Sequence, residues 1–100
     1  MNAVQSYEAI GQVMPGTIAG QLFGKPCFKI NGKAFICFFR EEMVFKLNGP
    51  QHRSALSLEG SSLFDPSGKG RPMKEWVQVP FQHRDQWAEY ARAALDYVKQ

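Results

Sequence analysis

The stretch KPCFKINGKAFICFF, Lys25 to Phe39, sets a two-residue turn signal, Asn31-Gly32, between two runs rich in aromatic and apolar residues. Asn and Gly tolerate the positive φ that a type I′ turn requires at both central positions, and this turn matches the twist of paired strands. The reading is a tight antiparallel hairpin of Lys25–Ile30 with Lys33–Phe39. In its uniform register Phe28 faces Phe35 and Cys27 faces Ile36. Side chains alternate along a strand, so Cys27 and Cys37 then point to opposite faces and no disulfide joins them.

Working outward, a first strand is predicted over about Thr17 to Phe23, and another over Glu42 to Leu47 after a tight turn at Arg40-Glu41. That turn lacks the usual Gly or Asn. If it is two residues long, Ile36, Phe38, Met43, Phe45 and Leu47 share one face of the sheet. Phe28, Phe35, Phe39 and Val44 then make the other face apolar as well, which calls for a second cover: helices, a folded-back loop or a second subunit.

Residues 3 to 14 carry Ala3, Tyr7, Ile10 and Met14 at helical spacing until Pro15-Gly16. Gly11 weakens that helix by about 1 kcal/mol relative to Ala, so packing must hold it. Pro50 suits the first turn of a short helix through Leu58, and Gly60 closes it. Short strands follow over Ser61–Asp65 and Lys74–Val79. Trp87, Tyr90, Ala91, Ala94, Leu95 and Val98 repeat on one helical stripe without interruption, which predicts a closing helix. Phe38, Phe45, Trp87, Tyr90, Leu95 and Val98 are expected to meet in one core. The fold class is α+β, a single domain over residues 1–100 with an antiparallel sheet and helices in the order α-β-β-β-α-β-β-α.

A hydrophobic fraction of 44% with 21% charged residues is that of an ordinary globular domain. The net charge of +3 comes from cations spread along the chain, not from a basic arm, so an anionic partner is allowed but not demanded. Two cysteines in apolar segments, no charged n-region ahead of an apolar stretch, and no apolar run long enough to span a bilayer lead us to expect a cytoplasmic protein with no membrane contact.

Little here carries chemistry. His52 and His83 stand alone, no C-x-x-C or H-x-x-x-H occurs, and Glu41-Glu42 lies on a turn, so neither a metal, a cofactor nor a catalytic group is assigned. The loop DPSGKGRPMKEW, Asp65 to Trp76, is the one candidate site. It is not a phosphate-binding P-loop or a dinucleotide fingerprint. Its Gly68 and Gly70 can turn backbone N–H groups inward as an anion nest, while Lys69, Arg71 and Lys74 supply charge. Pro72 restricts Arg71 to extended backbone. Trp76 would stack on a base if exposed and belongs to the core if not. A solvated connecting turn is the competing reading of the whole loop.

Three stretches together resemble the N-terminal domain of the TfoX family of bacterial regulators associated with competence. They are LFGKPCFKINGKAFICFF (Leu22–Phe39), EEMVFKL (Glu41–Leu47) and GKGRPMKEWVQVP (Gly68–Pro80), with Leu22 where the family usually has Met. The resemblance implies a YjbR-like α+β domain and no catalytic residues. Full TfoX proteins add a second, C-terminal domain, and the resemblance here concerns the first alone.

The functional expectation is a non-enzymatic binding or regulatory module contacting a protein or nucleic acid through Lys69, Arg71, Lys74 and Trp76. Two alternatives stay open: a small-molecule sensor or enzyme with a pocket between sheet and helix, and a protein–protein adaptor. Self-association as a homodimer is expected from the second apolar face carrying Phe28, Phe35 and Phe39.

Overall fold

The turn at Asn31-Gly32 forms where the sequence places it, with φ of 53° and 79°. The computed structural model describes all 100 residues. β1 (Thr17–Leu22), β2 (Lys25–Ile30), β3 (Lys33–Phe39) and β4 (Glu42–Lys46) make an antiparallel meander. After α2 (Gly49–Ser57), β5 (Ser62–Phe64) and β6 (Met73–Val79) extend it to six strands in the order β1-β2-β3-β4-β6-β5. Helices α1 (Ala3–Gln12) and α3 (Arg84–Lys99) sit at the two ends of the chain, α3 following a short 3-10 turn at Phe81–His83. The α+β class is as read, and all four strands located ahead of α2 form, one more than the order α-β-β-β-α-β-β-α counts. The Arg40-Glu41 turn is two residues long, and both residues take positive φ, 51° and 65°.

The hairpin departs from its uniform register at one point. Ile30 pairs with Lys33 and Lys29 with Ala34, but Phe28 pairs with Ile36 and Cys27 with Cys37. Phe35 is thus an extra residue in β3, a bulge that lets the consecutive Phe35 and Ile36 both reach the core. A one-residue slip exchanges faces, and it corrects the sequence reading in two ways. Cys27 and Cys37 lie on the same face, directly opposed, both buried and both free thiols. Phe28 and Phe35 belong to the face covered by helices.

That face holds a cluster of 19 buried residues. Phe45, Trp87, Tyr90, Leu95 and Val98 are buried in it as expected, and Phe38 packs half-buried against it. Tyr7 on α1 sits between Phe28 and Phe38, at ring-centroid distances of 5.3 and 5.2 Å. Gly11 explains itself here: a Cβ at that position would lie 2.2 Å from the Phe28 ring. α1 is started by a reciprocal capping box in which Asn2 Oδ1 accepts from the Gln5 amide at 2.9 Å and Gln5 Oε1 accepts from the Asn2 amide at 3.1 Å.

The opposite face carries a smaller cluster, Cys27, Cys37, Val44, Phe64 and Trp76, flanked by Leu22, Ala34, Phe39 and Met73. Phe64 and Met73 bracket the 65–72 loop, so the cover is the chain's own folded-back segment. Phe39 meets Phe64 edge-on at 5.3 Å. The Phe28 and Phe35 surface from which a homodimer was expected is therefore buried inside the chain.

Candidate functional site

The 65–72 loop is organised by one side chain. Asp65 Oδ1 accepts from Ser67 Oγ at 2.7 Å and from the Gly68 amide at 3.1 Å. Its Oδ2 accepts from the Gly70 amide at 2.9 Å and the Arg71 amide at 3.2 Å. Gly68 and Gly70 take φ of 68° and 76°, which is what turns these amides inward. An anion nest exists, then, but its anion is Asp65. The Ser67 hydroxyl foremost, then the Gly70, Arg71 and Gly68 amides, hold the Asp65 carboxyl below the usual carboxylate range. What the loop offers a partner is its side chains.

Those side chains divide. Arg71 joins Phe23, Lys25, Pro66, Ser67 and Met73 around a surface cleft of about 420 Å³. No carboxylate lines it. Lys25 also lies over the Phe39 ring at 5.1 Å, and the Arg40 guanidinium approaches the same ring at 5.0 Å. Both cations are thereby drawn to this end of the sheet by one aromatic group. Lys69 is exposed on the loop but does not line the cleft. Lys74 is exposed at the start of β6 and stands outside it. Trp76 is buried against Cys27, Cys37 and Phe64, with Lys46 Nζ 6.0 Å from its ring, so it has no face for a base.

The start of β6 is irregular, and its neighbours hold it there. Register against β5 shifts between Leu63 and Phe64. The Lys74 carbonyl accepts from His52 Nε2 at 2.7 Å, and the Glu75 carbonyl accepts from the Leu47 amide at 2.8 Å. The Tyr97 hydroxyl donates to the Glu75 carboxylate. His83 Nε2 likewise holds the Glu59 carbonyl at 2.7 Å. Both histidines are structural ties, a role their isolation in the sequence did not reveal. No group of three or more His, Cys, Asp or Glu is placed to hold a metal ion.

Sequence reasoning missed Phe23 and Lys25. Phe23 is 57% exposed and sits at φ 54° in the two-residue turn it forms with Gly24. A bulky residue at positive φ costs on the order of 1–3 kcal/mol and persists only where the surroundings impose it. The signal was present, since Leu22-Phe23-Gly24-Lys25 puts an aromatic where a hairpin turn favours Asn or Asp.

A second cleft of about 370 Å³ lies between α1 and β1, lined by Tyr7, Glu8, Gln12, Gly20, Cys27 and neighbours. Burial, then Cys27 and Cys37, pushes the Tyr7 phenol up, and burial followed by Cys27 pushes the Cys37 thiol up to about 12. Groups so held stay neutral at physiological pH and are poor nucleophiles. No model of a known protein family, no curated protein and no solved structure matches this chain.

Proposed function

We propose that this protein is a non-enzymatic binding module whose contact surface is the cleft between the Phe23-Gly24 turn and the 65–72 loop. Its partner presents a phosphate or carboxylate beside a flat apolar group, on a nucleic acid or a protein. The observation that carries this reading is Phe23, held exposed at positive φ and sharing a carboxylate-free cleft with Lys25 and Arg71. Arg71 supplies a planar fork for an anion, Lys25 a point charge, and Phe23 a ring to stack on. Pro72 restricts Arg71, which lowers the entropy lost on binding. The resemblance to the TfoX N-terminal domain supports a regulatory role. Two buried cysteines that stay thiols although directly opposed suit a reducing cytoplasm.

The test is titration of labelled single-stranded DNA, RNA and an acidic peptide at low salt. The wild type should bind at least one of them, and Lys25→Glu/Arg71→Glu should weaken that binding by about tenfold or more. Phe23→Ala should weaken it several-fold. Absence of binding to all three, or equal binding by the double variant, would sink the reading.

A further inference from the structure

The two edges of the sheet are treated differently. β5 ends one side with only three residues, and a short edge offers little to pair with. β1 ends the other with six, Thr17-Ile18-Ala19-Gly20-Gln21-Leu22. It carries no charge and no proline, and it pairs with β2 without a bulge, so the strand has none of the usual protective devices of its own. In a two-residue hairpin the flanking pair, here Leu22 and Lys25, exchanges both hydrogen bonds. Alternation then turns the N–H and C=O groups of Ala19 and Gln21 outward, away from β2. The same part of the chain holds every exposed large apolar side chain: Met1, Val4, Val13, Ile18 and Phe23.

We propose that β1 pairs antiparallel with β1 of a second copy across a two-fold axis, joining two six-stranded sheets into one. Two features select a second copy as the occupant: the glycine at the centre of the strand and the apolar pair that flanks it. β1 itself is uncharged, but the Lys29 side chain of β2 lies along Gly20 and has to swing out toward solvent as two copies approach. A two-fold axis through Gly20 sets two residues without side chains against each other at the closest point. The same register places Ile18 opposite the partner's Leu22, twice, on the sheet face away from the helices. These are non-hydrogen-bonded positions, where side chains approach most closely, and Ile18, 72% exposed in the single chain, becomes covered. Ala19 and the partner's Gln21 exchange the outward hydrogen bonds.

Sedimentation of the wild type over roughly 1–100 µM should show a concentration-dependent dimer. Ile18→Lys, which sets a cation against an apolar partner, should weaken it by about tenfold or more. Ala19→Pro removes an outward donor from an edge strand that tolerates proline, and should have a similar effect. Hydrogen exchange locates the contact: the Ala19 and Gln21 amides should slow on concentration, while Ile18 and Leu22, already bonded to β2, should not change. If Ala19→Pro fails to fold, Ile18→Lys and the exchange pattern decide. A wild type that stays monomeric throughout overturns the proposal. So does a dimer that both variants leave intact, or one whose Ala19 and Gln21 amides exchange as fast as in the monomer.

Discussion

The two faces of the sheet are closed by different means. One is covered by α1, α2 and α3 over a 19-residue cluster. The other has a five-residue cluster under a loop folded around a carboxylate. Apolar burial dominates stability roughly in proportion to area, so the helix face holds the fold together. The loop face is thin, and the groups that shape it are polar and local. A surface built that way can vary its exposed side chains at small cost to the fold, which is where a binding site is easily carried.

The sharpest test compares the two tryptophans. Trp87→Ala should lose about 3–5 kcal/mol in denaturant melts, because its site is enclosed on all sides. Trp76→Ala should lose roughly half as much, since water can reach a layer one loop thick. Equal losses would break the comparison. Gly11→Ala comes next. Helix propensity alone favours Ala by about 1 kcal/mol, but the Phe28 ring occupies the space, so we expect a net loss of about 1–3 kcal/mol. A gain in stability would mean that α1 rides more loosely on the sheet than the contact implies.

Cys37 gives a smaller, pH-dependent effect. Its thiol is raised from an ordinary 9.0 to about 12, so above pH 9 the unfolded chain releases a proton that the native chain keeps. This contribution to stability is complete below pH 9 and is lost as pH climbs toward about 12. Cys37→Val should flatten that alkaline slope while changing stability at pH 7 by less than about 1.5 kcal/mol. An unchanged slope would assign it to other groups. Asp65→Asn should have the least global effect of these variants, yet accelerate hydrogen exchange at Gly70 and Arg71, whose charged acceptor it replaces with a neutral amide. Because the Asp65 carboxyl is held low, its contribution is present above the ordinary carboxylate range near pH 4 and fades as pH falls through the lowered value. Protection of the loop amides should therefore persist below pH 4 in the wild type.

Strong local signals were legible. Asn31-Gly32 located the hairpin, and the uninterrupted stripe from Trp87 to Val98 located α3 with its buried face. The bulge was not legible, because Lys33–Phe39 contains no glycine and the extra residue is apolar like its neighbours. It is chosen by the shape of the core, a tertiary effect. In the loop, the glycines and cations drew attention, and Asp65 did not. Yet an Asp heading a Pro-Ser-Gly turn is suited to bond its own following backbone, and here it binds the amides three, five and six residues on. An inward-turned amide needs an acceptor, and the carboxylate at the head of the loop supplies it.

The extra residue in β3 also bears on how this chain can change length. Side-chain alternation behaves as a reading frame with a period of two, and β3 already holds a one-residue insertion that the strand absorbs. Deleting Phe35 or Ile36 would remove one apolar group, restore uniform alternation, and leave Cys37, Phe38 and Phe39 on their present faces. Deleting a residue from Cys37 onward would instead shift the frame up to the Arg40-Glu41 turn, exchanging the faces of the aromatic residues between. Natural variants of this hairpin that differ by one residue should have their gap at positions 35–36.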